Sequence, residues 1–291
     1  MLPPYIELCS RNAFSFLEGA SNPEDLVEEA ARLGHEVIAL ADRDGLYGAP
    51  RFHAAAARQG LRAIVGAELS QAAGAPLVLL AESREGYRNL ARLLTVAQGN
   101  APKGEARVSF DELEEHAGGL TALVAASGSL SRARLDRLQG VYGPDHTALG
   151  VARAMDRGMG GENRFAVALA EAARWPVVAW GDVRVARPEG RRLLDAFTCL
   201  FHKTSLDRAG RLLLPNGERT LRTPDEMARR FADRPAWLHA GREIAERCAF
   251  TFEDLGYRFP TYPTPEGECQ DSWLRTLTFA GARERYGDPL P

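Results

Sequence analysis

Two apolar runs in this chain end alike. Val37-Ile38-Ala39-Leu40-Ala41 leads into Asp42-Arg43-Asp44-Gly45, and Val177-Val178-Ala179-Trp180 leads into Gly181-Asp182-Val183-Arg184. Short unbroken apolar runs fit strands buried on both faces. In α/β folds the C-terminal edges of such strands are where sites are built. Two strands that each deliver an Asp and an Arg imply one shared pocket. Its carboxylates could hold a cation, but its arginines could not, because a guanidinium stays protonated and offers only donors. Hydrolysis at a dinuclear metal centre needs His and carboxylate ligands around an activated water. Taken singly, an Asp-Arg pair at a strand end is most often a surface ion pair.

The other residues with chemical potential form no constellation. Cys9, Cys199, Cys248 and Cys269 are scattered, without a CxxC pair, and read as reduced thiols. His35 and His53 fall at a helix end and inside a helix, which suits packing or surface roles. His116, His146, His202 and His239 have no partner at ligand spacing. Gly158-Met159-Gly160-Gly161 lacks the GxxxxGK[ST] pattern and reads as a flexible loop rather than a phosphate cradle. The aromatics Phe14, Phe16, Tyr257, Phe259 and Tyr262 could stack on bases, though core and interface packing is the plainer role.

The elements that must position these residues alternate. Strands are expected at 5–8, 37–41, 62–69, 77–81, 120–125 and 177–180, and more weakly at 146–153. Helices are expected at 50–59, 85–96, 110–115, 129–138 and 164–174, with a loop at 156–163. A first helix starts at Ser21-Asn22-Pro23-Glu24, with a capping side chain and a proline in the first turn, and stops at Gly34. Such βα periodicity implies a parallel sheet, closed as a barrel or left open. After Arg187-Pro188 the pattern turns helical, at 193–200, from Thr223-Pro224, and at 236–248. A Pro-punctuated linker follows at 257–263, then an amphipathic helix at 272–286.

Bulk properties narrow the class. With 291 residues, 45% hydrophobic and 26% charged, the chain can build a sizeable core. A net charge of -3 argues against a strong free-standing nucleic-acid binder. Acids and bases balance from Phe201 onward, so the C-terminal part is no polybasic arm. The start of the chain has no apolar signal core, and no apolar run approaches ~20 residues. A cytoplasmic protein without membrane contact is the expectation.

The run ELCSRNAFSFLEGASNPEDLVEEAARLG, followed by VIALADRDGLYGAPRFHAAAARQGLRAIVGAELS, resembles the N-terminal polymerase-and-histidinol-phosphatase (PHP) domain of bacterial DNA polymerase III alpha subunits, closest to the error-prone branch of those C-family polymerases. RRLLDAFTCLFHKTSLDRAGRLLLPNGERTLRTPDEMARRFADRPAWLHAGREIAERCAFTFEDLGYRFP is similar to the segment joining that domain to the polymerase palm. LRTLTFAGARERYGDPLP resembles the first palm helix and the turn after it. The likeness covers nearly the whole chain and is poorest at 147–161. It implies an α/β fold: a distorted (β/α)7 PHP barrel over 1–200, a helical connecting segment over 201–256, and a linker with the first palm helix over 257–291.

Metal-binding members of that family gather His, Asp and Glu at the strand ends to hold two or three ions for phosphoester hydrolysis, including 3′–5′ proofreading. This sequence departs from the pattern. The opening His-x-His falls on Cys9 and Arg11, the next Asp on Glu18, and the Asp-His pair on Asp42 and Arg43. The third-strand Glu is kept as Glu68, and the closing Asp-x-His falls on Asp182 and Arg184. A further ligand position falls near Ala154. Three arginines beside a metal would each repel it by about 4 kcal/mol at about 4 Å and an effective dielectric of about 20. The resemblance therefore implies a degenerate metal pocket in which Arg11, Arg43 and Arg184 neutralise Glu18, Asp42, Glu68 and Asp182. No catalytic residue, metal or cofactor is expected in this stretch, and its role would be structural. The intact parent would be a Mg²⁺-dependent DNA-directed DNA polymerase serving replication and repair. Partners would be its palm and thumb domains, with DNA engaged through the intact enzyme. The alternative is a divergent metal-dependent phosphoesterase or proofreading exonuclease using Cys9, Asp42, Glu68 and Asp182. A DNA-contacting module acting through the arginines is a third, weaker reading.

Overall fold

Seven strands lie side by side in chain order: β1 (Glu7–Ser10), β2 (Val37–Arg43), β3 (Arg62–Ala72), β4 (Ala75–Ala81), β5 (Leu120–Ala125), β6 (Thr147–Val151) and β7 (Val177–Ala179). The sheet curls far enough for its edges to meet just beyond β7. Ser10 and Val183 form a parallel bridge, with Arg11 N–H donating to Val183 O and Val183 N–H donating to Cys9 O, both at 2.9 Å. The result is a distorted barrel in a computed structural model that describes residues 5–73, 75–156, 158–256 and 261–288.

One expectation is corrected. The βα rhythm implies a parallel sheet, yet β4 runs antiparallel to both β3 and β5. The cause is the length of the β3–β4 connection: two positions separate Ala72 from Ala75. A parallel crossover needs about a dozen or more residues, and so short a link can only make a hairpin.

The interior is filled by inward side chains such as Leu8, Val37, Ala39, Ile64, Leu80 and Val178. Trp180 also enters this cluster, and Gly150 makes room for it: a Cβ there would lie 2.4 Å from the indole ring. Helices α1 (Pro23–Arg32), α2 (Ala49–Gln59), α3 (Arg84–Gly99), α4 (Phe110–Glu115), α5 (Arg132–Tyr142) and α6 (Met159–Ala173) connect the strands. Helix α6 runs through Gly160 and Gly161, within the expected loop. Glycine costs a helix about 1 kcal/mol relative to alanine. The buried Ala166, Val167 and Ala170 anchor the helix all the same.

After β7 come α7 (Arg191–Phe201), α8 (Leu206–Ala209), α9 (Pro224–Arg230) and α10 (Pro235–Arg247). This helical segment is knitted into the barrel. Val185 and Thr220 form a parallel bridge, and Ile244, Ala245 and Cys248 join the core cluster. Arg62, first residue of β3, donates to Ala245 O and Cys248 O, both at 2.8 Å, which fixes α10 across the N-terminal end of the barrel. The chain accordingly divides into the units Met1–Asp254 and Leu255–Pro291, with 201–254 in the first. The second contains α11 (Gln270–Tyr286). Positions 257–260 of the expected linker, including Tyr257 and Phe259, lie outside the described residues. Among the described residues no helix is long and apolar enough to cross a membrane.

Candidate functional site at the barrel mouth

Parallel strands deliver their C-terminal ends to the same side, and here that side collects the charges. β1 ends beside Arg11, β2 ends in Asp42 and Arg43, and β3 carries Glu68 in register with Arg43. The edge-closing segment after β7 adds Asp182 and Arg184. Asp182 and Asp44 both have positive φ, 51° and 52°. Asp is among the few residues that adopt this region with little penalty.

Arg11 is the centre of the site. Its side chain is 5% exposed and spans two strand ends. One nitrogen donates to Asp182 Oδ1 at 2.7 Å, and the other is paired with Glu68 Oε2. Burial is the largest single influence and would lower the pKa of this guanidinium, but the charge of Glu68, together with Cys9, Glu18 and the hydrogen bond to Glu68, raises it overall. Arg43 is paired with Glu18 and approaches Asp44 Oδ2 at 3.3 Å. Arg184 stands back, 4.0 Å from both Glu18 and Asp182. Burial, and then repulsion by Arg11, push it down to about 10. It remains cationic at neutral pH.

Asp42 differs from the expectation that an arginine neutralises it. Its Oδ1 accepts from Asn12 N–H at 2.8 Å and from the Ser15 hydroxyl at 2.7 Å. Burial pushes this carboxyl up to about 6, partly offset by those donors and by the more distant Arg11. Ser15 Oγ also accepts from Arg43 N–H at 2.9 Å, so one hydroxyl ties the loop carrying Glu18 to the end of β2. Ser15→Ala should cost about 1.5–3 kcal/mol, the range for a hydrogen bond to a charged group. A urea midpoint measures it.

Cys9 lies in the apolar cluster of the barrel, and burial pushes its thiol up to about 12. It is a packing residue with no thiolate to offer near neutral pH. Ala154 is buried, and its carbonyl accepts from Asn216 Nδ2 at 2.7 Å. Three participants carried no sequence signal read above. Arg219, from the segment that pairs beside Val185, contacts Asp182 Oδ2. Ser15 holds Asp42. Glu7, inside β1 and 2% exposed, accepts from Tyr5 Oη at 2.6 Å, Cys9 N–H at 3.0 Å and Gly181 N–H. The lone acid in an apolar strand was the available sign for Glu7.

This donor set does not fit a di- or trinuclear metal centre. Among the described residues no three of His, Cys, Asp and Glu converge as ligands. Glu18, Glu68 and Asp182 each already face a guanidinium. A cation placed among them would have to displace or oppose a buried positive charge. What the arrangement does is hold acids and bases in near balance and staple four strand ends together.

The PHP domain family model matches residues 7–164. The error-prone DNA polymerase of Mycolicibacterium paratuberculosis is 40% identical over 315 residues, which cover 98% of this chain and 28% of that protein. The error-prone DNA polymerase of Anaeromyxobacter dehalogenans is 43% identical over 274 residues, covering 90% of this chain and 24% of that protein. The chain thus spans well under a third of the curated relatives it matches. Among solved structures, an amidohydrolase from Chromobacterium violaceum aligns with a TM-score of 0.43 at 16% identity, over 62% of this chain and 88% of that one. With the family model matched over more than half of its residues, the chain belongs to the PHP domain family.

Proposed function

We propose that this chain is the N-terminal PHP barrel of an error-prone DNA polymerase, and that its role is structural. In this reading arginines have taken over the charge balance that metals provide in hydrolytic members. The observation that carries it is Arg11, buried between Glu68 and Asp182 and bound to both. The similarity to error-prone polymerases over 98% of the chain supports the parent enzyme. Nucleotidyl transfer with Mg²⁺, and contact with DNA, would then belong to the longer polymerase, with its palm and thumb as the barrel's neighbours. A cytoplasmic location follows from that role.

Metal analysis tests the reading. After dialysis against zinc or manganese and then metal-free buffer, the purified chain should retain only substoichiometric metal. It should release neither nitrophenol from p-nitrophenyl phosphate nor nucleotides from a DNA 3′ end. Retention of about two equivalents together with phosphoester hydrolysis would instead establish a metal-dependent phosphoesterase.

A further inference from the structure

Helix α7 buries Leu194 and Cys199 and leaves a second apolar stripe facing outward. Its sequence places Leu193, Phe197 and Leu200 on one stripe, at i, i+4 and i+7, with Phe201 at the edge. A surface helix ordinarily buries such a stripe. Here Leu193 is 47% exposed, Leu200 65% and Phe201 56%. The inward side, with Leu194 and Cys199, is already packed, and Arg191 ties the start of the helix down. Arg191 Nε donates to Asp195 Oδ1 at 2.6 Å, and its other nitrogens donate to Asn216 O and Leu214 O. Leu206, which opens α8, and Leu212 just beyond it are also exposed. Contiguous apolar surface of this kind marks an interaction site. Its surroundings are mostly basic: Arg192, Lys203, Arg208 and Arg211 are exposed, against Glu189 and Asp207.

We propose that this face of α7 is where the barrel docks onto the polymerase body that lies outside the matched region in its longer relatives. The inference rests on the reading of the chain as a polymerase domain. The matched stretch is 28% of the Mycolicibacterium protein, so most of such a chain lies outside this structure and can supply the cover. The occupant is a protein surface with an apolar groove for the Leu193–Leu200 stripe and an acidic rim facing the basic side chains. A nucleic-acid backbone would engage the rim alone and leave the stripe bare.

The test is a full-length chimera, in which residues 1–291 replace the matched region of the Mycolicibacterium polymerase, compared with the 291-residue chain alone. Hydroxyl-radical oxidation of Phe197, Leu200 and Phe201 is read by mass spectrometry. Burial at an interface core should cut their oxidation about tenfold in the chimera. Leu193→Glu/Leu200→Glu should restore the oxidation of Phe197 and Phe201 while leaving the melting temperature of the isolated chain unchanged, because both substituted positions are exposed there. A chimera that polymerises DNA with α7 as oxidisable as in the isolated chain overturns the docking face and leaves the domain reading standing. A chimera that folds but does not polymerise overturns both. Dimerisation of the isolated chain, abolished by the same substitutions, would assign the face to a second copy and overturn the proposal.

Discussion

Replacing Arg11 by methionine should lower the stability of the barrel unit by about 3–5 kcal/mol, and its melting temperature by about 10 °C for a unit of this size. Methionine keeps most of the side-chain volume, so the loss is not one of packing. It comes from the acids left behind. Glu68 and Asp182 are both largely buried and lose the group that neutralises them. Breaking a buried ion pair from one side strands a charge in a poorly solvating place, which costs more than the pair itself contributes. Arg219 still touches Asp182, which makes Glu68 the more damaged of the two. Arg11→His without added metal should behave like Arg11→Met above the titration range of the imidazole. Arg11→Met combined with Glu68→Gln and Asp182→Asn should recover most of the stability, since no stranded charge remains. Asparagine also tolerates the positive φ at position 182. Calorimetric melts of the three variants test the idea. A single variant within about 2 °C of the parent would show that the guanidinium does not hold the acids as described.

The sites that were legible in the sequence share a property. Asp42, Arg43, Asp182 and Arg184 each sit directly after an apolar run, and strand ends in this architecture converge whatever the details of the helices. Arg11 and Glu68 became legible through the family pattern. The pairing among them was not, because which guanidinium reaches which carboxylate depends on ångström-scale placement. Asp42 is the case in point: it lies deeper than the other acids and takes neutral donors from Asn12 and Ser15 instead. Arg219 was invisible because it arrives from a segment some 35 residues further along, through a bridge that local periodicity does not encode. The antiparallel β4 was hidden for a similar reason. An apolar run has no direction, and only the length of its connections gives one.

Between pH 5 and pH 8 the protein should lose stability as pH rises, and Glu7 should be the main cause. Burial raises its pKa from 4.5 to about 7, against the lowering effect of the donors around it. The folded state therefore binds a proton that the unfolded state has released over the window from 4.5 to about 7. Stability falls with rising pH across that window and is level above it, by roughly 3 kcal/mol for a shift of this size. Asp42, raised from 3.8 to about 6, acts with the same sign at lower pH. His35 opposes them: burial lowers its pKa below 6.5, so its contribution rises with pH until the unfolded imidazole has titrated. A single variant isolates Glu7 from both. In Glu7→Gln the amide nitrogen meets N–H donors from Cys9 and Gly181, a penalty independent of pH. What disappears is the charge left buried at pH 8. Urea midpoints at the two pH values give the difference of differences. The gap between pH 5 and pH 8 should shrink by about 2–3 kcal/mol in the variant, and an unchanged gap would place the titrating group elsewhere.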